Sequence, residues 1–402
     1  MTKEDYNYVY YSDSPEVLHS IDQWNKLNDS KQKEVKGHLP ENWPEKLSGP
    51  HLWTGEDLKE RPDKYRYILS EEDKSEVWKA VESFKKSGLS LAAVSKENFT
   101  LPQLGKTLEN FAEDLYNGTG VRLIRGLNID DYDEKGKIIA YLGISSFIGD
   151  IRDAQGLNRA LTHIKSIEHI AKGERAPIGV SQQTTDAQMF HNDFGGDIVS
   201  LFVLSTPLSG GESLVSSTYA IYNELAHVRP DILSTLSTPR AFKWREAPEG
   251  SPLLYYKDDT FITSFSTRYF IGYGELPRDE NYPLINENQR DALGGFNAIA
   301  YKHSLSSEFQ KGDIEYVNNI FTQHCRKGFT ENEDNRRHLV RLWLRNSKFT
   351  NSIKLPERLL EKKIQNFPVQ YDQEIPLNEV EEDAIKLRNN ATSIDKFYSK
   401  PK

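Results

Sequence analysis

The stretch QMFHNDFGGD, residues 188–197, sets His191 and Asp193 two positions apart between aromatic residues and glycines. Side chains two apart on an extended segment share a face, so an imidazole and a carboxylate here point at one spot. An iron(II) facial site needs such a pair plus one further nitrogen ligand from a distant strand, leaving three positions open. A bare H-x-D arises by chance on the order of once in a chain of this length, so the pair alone decides nothing. Gly195 and Gly196 then let the backbone turn away.

The downstream candidates for a third ligand are His303, His324 and His338. His324, in GDIEYVNNIFTQHCRKGF, falls just after a strand pattern and before a loop and fits best. His303 lies on a predicted helix face and His338 opens a strand, positions that more often serve packing or surface. A loop histidine capping a carbonyl stays open as the reading of His324. Thirteen residues after His324 comes Arg337, in NRRHLVRLWLRN, with Arg341 four further on. In a strand, 337, 339, 341 and 343 share one face, so two guanidinium groups and the Trp343 indole would line the wall facing the metal. Inward arginines are costly unless they meet anions, and a guanidinium grips a carboxylate through two parallel hydrogen bonds. The alternative is an exposed strand ion-paired to Glu331, Glu333 and Asp334.

Composition narrows the rest. A formal charge of −9 without a Lys/Arg stripe argues against a nucleic-acid partner. No apolar run is long enough for a membrane span and the N-terminus is too polar for a signal peptide, so a soluble cytoplasmic protein without a membrane partner is expected. Cys325 is the only cysteine, which excludes an internal disulfide and a thiolate cluster; any metal sits on His, Asp or Glu. A homo-oligomer is neither required nor excluded, since exposed apolar patches have no sequence signature.

The elements that must position these residues read as α+β. Residues 1–68, rich in Pro, Trp and Tyr without a sustained period, suggest an arm packed on the core. Ser70 and Asp73 form a capping box for a helix over 71–86. Leu104, Leu108, Phe111 and Leu115 mark a second helix, and residues 134–147 a third. Strand patterns follow in ALTHIKSI, DIVSLFVLSTPL, ESLVSST, RAFKWRE, SPLLYYK, DTFITSFSTRYFIG, DIEYVNNI and HLVRLWLRN. Helical insertions fall at 219–237 and 286–305, within a domain spanning 69–355, and 356–402 reads as a peripheral segment. Short strands with grouped helices suggest a sandwich or barrel.

Taken together, FHND, SGGESLVSS, NNIFTQH and RRHLVRLWLRN, over roughly residues 119–346, resemble the TauD/TfdA (taurine dioxygenase-like, clavaminate-synthase-like) iron(II)/2-oxoglutarate oxygenases in their fungal form. The resemblance implies a double-stranded β-helix, a distorted jelly roll, with flanking helices. It implies Fe(II) on His191, Asp193 and His324, with 2-oxoglutarate and O2 as cosubstrates. Arg337 would pair with the distal carboxylate of 2-oxoglutarate, and Ser213 stands where many members carry a Thr that binds the same carboxylate. Arg341 takes the place of an arginine that in some relatives holds an anionic substrate group. Phe190, Asn192 and Trp343 are candidate substrate-pocket residues. The implied reaction is C–H oxidation of a small, anionic organic molecule, most simply hydroxylation, with desaturation or oxidative cyclisation as alternative outcomes. Asp193 disfavours halogenation, which needs a small residue there. Competing classes are a zinc hydrolase or lyase on the same ligands and a non-catalytic jelly-roll binding protein. The first lacks an evident Glu base and leaves Arg337 without a task.

Overall fold

The computed structural model describes residues 37–156, 158–170, 180–272, 277–366 and 373–388; the first half of the expected arm and the end of the C-terminal segment lie outside them. The largest sheet has seven strands, in the order Arg66–Ile68, Val121–Arg125, Ile314–Asn318, Ile198–Ser205, His338–Arg345 and Ile151–Arg152, with Leu161–Lys165 also paired to His338–Arg345. All pairings are antiparallel except the first, where Arg66–Ile68 runs parallel to Val121–Arg125. The expected arm thus contributes an edge strand. A smaller sheet of four strands runs Leu305–Ser306, Ser213–Ser217, Thr322–Arg326 and Gln188–His191.

Alternation assigns the faces of the large sheet. Ile198, Phe202, Ile314, Tyr316, Val340, Leu342 and Leu344 are buried in one core with residues of the helices Glu71–Ser87, Leu104–Asn117 and Glu134–Ile148. These are the three helices expected from periodicity. The first starts at a Ser70–Asp73 capping box and ends at Gly88 in the left-handed region. The intervening residues Val199, Val317 and Trp343 face the other way and cluster with Val215 and Leu305 of the small sheet. Two sheets therefore share one inner layer, and Arg337, Leu339, Arg341 and Trp343 open into it.

The two insertions form the helices Thr218–Val228, Pro230–Ser237 and Glu287–Lys302, whose core takes in Phe190, Leu214 and Cys325 from the outer face of the small sheet. The segment DTFITSFSTRYFIG is not one strand. Leu254–Lys257 and Thr260–Thr263 form a hairpin across Asp258 and Asp259, both at positive φ, and the chain then closes a helical turn at Arg268–Ile271. The departure has a cause: Ser266 makes an isolated bridge to His191, and the chain bends there over the site. Near the C-terminus, Glu382 is buried and accepts from the Arg159 guanidinium and the His163 backbone N–H, which ties the helix Glu379–Arg388 to the large sheet. Among the described residues no helix is long and apolar enough to cross a membrane.

Candidate metal centre

His191 ends one strand of the small sheet and His324 lies directly across from it on the neighbouring strand, so backbone register alone brings the two imidazoles together, ring centroids 4.4 Å apart. Asp193 follows two residues after His191. Its Oδ1 is 3.6 Å from His191 Nε2 and 3.8 Å from His324 Nε2. These are gaps that one ion with bonds of about 2.0–2.2 Å can span. One ligand atom from each of the three lies within 4.8 Å of the others.

Hydrogen bonding prepares two of the donors and burial the third. His191 Nδ1 is 2.7 Å from the Met189 carbonyl, which can only accept, so Nδ1 carries the proton and Nε2 keeps its lone pair. Burial pushes the His324 imidazole down to about 3, holding it in the neutral form that ligates metal. Asp193 Oδ2 accepts from Trp343 Nε1 at 2.7 Å and from Arg341 Nη1 at 3.0 Å, so Oδ1 is left for the ion. Burial alone would raise the Asp193 carboxyl, but Arg341, His191 and His324 together outweigh it and carry the group well below the usual carboxylate range. The donor set therefore fits a divalent metal.

Gly195 has a steric task in this arrangement: a Cβ there would lie 2.2 Å from the Trp343 ring. Gly195→Ala is expected to cost about 1–3 kcal/mol through overpacking. It should also loosen the Trp343–Asp193 bond, giving a lower melting temperature together with weaker iron(II) retention. A variant that melts lower but holds iron unchanged would separate Trp343 from the metal site.

Other residues expected at the site have the following placements. Arg337 and Ser213 line a cavity of about 110 Å³ shared with the triad. The Arg337 guanidinium is buried, stacks 5.6 Å over Phe329, and forms an ion pair with no described carboxylate; Glu331 accepts only from its backbone N–H. The Ser213 hydroxyl donates to Glu315 Oε2 at 2.7 Å. Arg341, expected to face substrate, spends Nη1 on Asp193 and Nε on Gln155 Oε1 at 2.8 Å. Phe190 borders the cavity and packs into the insertion core. Asn192 is a structural knot: its amide donates to the Asn319 and Thr322 carbonyls and accepts from Phe265 N–H and Gln323 Nε2. Trp343 faces the site but through its bond to Asp193.

Four residues escaped the sequence reading. Arg326 is buried on the cavity wall and stacks 4.8 Å over the Phe329 ring that Arg337 also covers. Its place two residues after His324 was the available signal. Arg268 and Tyr269 reach the cavity from the helical turn mistaken for strand. Gln155, which holds Arg341, carried no signal in its local sequence.

Comparison with known proteins agrees with this geometry. Residues 84–343 match the family model described as taurine catabolism dioxygenase TauD, TfdA family. A taurine hydroxylase-like protein of Stachybotrys chartarum is 33% identical over 309 residues, covering 74% of this chain and 79% of that protein. FR-33289 synthase of Streptomyces rubellomurinus is 25% identical across 74% of this chain and 90% of its own. Among solved structures, asparagine oxygenase with Fe(II), hydroxyasparagine and succinate superposes with a TM-score of 0.55 at 15% identity, over 73% of this chain and 98% of that one. The non-heme iron oxygenase OrfP with Fe and alpha-ketoglutaric acid gives 0.52 at 14% identity, over 73% and 98%. Those two likenesses speak for the fold, whereas the family match and the first relative speak for descent. The chain belongs to the TauD/TfdA family and is an Fe(II)/2-oxoglutarate-dependent oxygenase.

Proposed function

We propose that this oxygenase hydroxylates a small, polar, anionic organic substrate, with iron(II) held by His191, Asp193 and His324 and the distal carboxylate of 2-oxoglutarate held by Arg337. The observation that carries the reading is the buried Arg337 guanidinium, which shares a cavity with the triad and has no ion-paired carboxylate of its own among the described residues. An arginine stays charged, so burial makes it a standing demand for an anion. A second guanidinium, that of Arg326, stacks on the same Phe329 ring.

Iron(II), when bound, supplies oxygen activation: 2-oxoglutarate is decarboxylated to succinate and carbon dioxide while a substrate C–H bond is oxidised. The protein's own contribution is placement. His191 and His324 present their Nε2 atoms, Asp193 presents Oδ1, and Arg341 with Trp343 fixes the carboxylate from behind. Gln188, Ser266, Arg268 and Tyr269 supply polar atoms to the remaining cavity wall beside Met189 and Phe194. Such a wall suits an amino acid, sulfonate or carboxylate. Hydroxylated amino acids in the asparagine oxygenase and OrfP complexes, each carrying an α-carboxylate, lend support to a substrate with an anionic group. Which C–H bond stands nearest the metal decides between hydroxylation and desaturation or ring closure. The strand order supports a jelly-roll core, and residues 69–355 are read as the oxygenase unit with 219–237 and 286–305 as its covering insertions.

The test has two arms. Anaerobic addition of iron(II) and 2-oxoglutarate should produce the weak visible metal-to-ligand band, and no band at saturation would sink the iron/2-oxoglutarate placement. Succinate release screened against amino acids, sulfonates and carboxylates should then rise for members of one anionic class. Stimulation only by compounds that carry no carboxylate or sulfonate group would overturn the substrate reading.

A further inference from the structure

Glu315 is a buried carboxyl group in the layer between the two sheets. Its strand register sets it beside Leu123 and Leu201, and both its oxygens are bound by hydroxyls: Ser213 Oγ donates to Oε2 at 2.7 Å and Ser307 Oγ donates to Oε1. Ser213 and Arg337 line the cavity, so Glu315 stands behind the hydroxyl that faces the cosubstrate position. The groups around it are few. The flanking strands present Leu123 and Leu201, the small-sheet side presents the neutral Ser213 and Ser307, and the long strand's entry presents Arg337. Asp313, just before its strand, is ion-paired to Arg125 at 2.7 Å. Arg326 lies beyond, beside Arg337 over Phe329.

A carboxylate arriving at Arg337 creates a conflict. The Ser213 hydroxyl has one proton and donates it to Glu315; it cannot also donate to the newcomer. Two carboxylates sharing one site cannot both stay ionised without large cost. We propose that Glu315 is a proton-holding positioning residue for 2-oxoglutarate: as the cosubstrate binds, Glu315 takes one proton from solvent and releases the Ser213 hydroxyl to donate to the bound carboxylate. The balance is simple, since a carboxylate plus a solvent proton becomes a carboxylic acid whose O–H then donates within the serine pair. Burial already pushes the Glu315 carboxyl up to about 7 before any anion is added, and a second negative charge raises it further. The inference rests on the placement of 2-oxoglutarate at Arg337.

The sign follows from linkage. A group that gains a proton on binding makes binding tighter at low pH. Below about 7 Glu315 is already protonated and affinity is flat; above it, affinity weakens by up to about tenfold per pH unit until the raised value of the complex is passed. The test is anaerobic calorimetry of 2-oxoglutarate binding to the full-length iron(II)-loaded protein at pH 8, in phosphate and in Tris. The differing ionisation enthalpies of the buffers report proton uptake. The wild type is expected to take up close to one proton, and Glu315→Gln to take up none, with a flat pH profile and a Kd at pH 6.5 within a few fold of wild type. No uptake by the wild type, or uptake retained by Glu315→Gln, overturns the proposal. Should the Gln variant fail to fold, Ser307→Ala removes a donor to the ionised form and is expected to move the break in the pH profile upward; an unmoved break overturns it equally. If Arg337→Ala binds 2-oxoglutarate as well as wild type, the underlying placement fails. If that variant binds poorly while the wild type shows no uptake, only the role of Glu315 fails.

Discussion

Arg337→Ala is expected to raise the Kd for 2-oxoglutarate by about 10²-fold or more while iron(II) affinity stays within a few fold. Truncating one partner of a buried, hydrogen-bonded charge pair costs about 2–5 kcal/mol, much of it from leaving the other charge unpaired. Here the unpaired charge would be the cosubstrate's carboxylate, left with Arg326, whose guanidinium already donates to the Thr184 and Asp186 carbonyls. The guanidinium is pre-placed: Phe329 lies beneath it, and Gly211 lies so close behind that a Cβ would sit 3.1 Å from Nε. Gly211 is also at φ +75°, where side chains are strained. Arg337→Lys should fall between wild type and Ala, because lysine keeps the charge but loses the planar fork. Anaerobic titrations of the metal-to-ligand band against 2-oxoglutarate, and of iron binding separately, give both constants. An equal loss of iron and cosubstrate would mean that Arg337 supports the metal site instead.

The metal pair and the long strand were legible for a common reason. Period-two alternation fixes which residues share a face, so HND and the 337, 339, 341, 343 series could be placed opposite each other before any coordinates. His324 was legible as the third candidate because it follows a strand by one short turn, and the antiparallel register sets it against His191. What alternation cannot say is which partner a polar tip meets inside the layer. Arg341 was rightly placed on the inner face, yet its reach ends on Asp193 and on Gln155, a residue 186 positions away in sequence. Phe190 shows a divided case: nearness to His191 in sequence suggested the pocket, and the residue both borders the cavity and packs in the insertion core. Glu315, in DIEYVNNI, carries no local sign of its burial, since a buried carboxyl is rare. Only the second sheet lying over it, with Ser213 and Ser307, makes its burial intelligible.

Asp193→Ala is expected to leave no stoichiometric iron(II) on the protein after desalting, and the informative comparison is with Arg341→Ala. Asp193 is the one anionic donor of the triad, so its loss leaves two neutral imidazoles and removes the charge that offsets a divalent ion in a buried site. Arg341 and Trp343 act one step back. Each donates to Asp193 Oδ2, and groups that orient a ligand in this way typically carry about 10–100-fold of metal affinity. Arg341→Ala should therefore raise the iron(II) Kd within that range, and excess iron should restore part of its turnover. Trp343→Phe should behave alike, with a smaller loss since the Arg341 contact remains. Had Arg341 gripped the substrate directly, iron and 2-oxoglutarate would bind normally and only the substrate KM would rise. Metal affinity measured beside substrate KM in the same variant separates these two tasks: a normal iron Kd with a raised KM returns Arg341 to the substrate, and a raised iron Kd rescued by metal keeps it on Asp193.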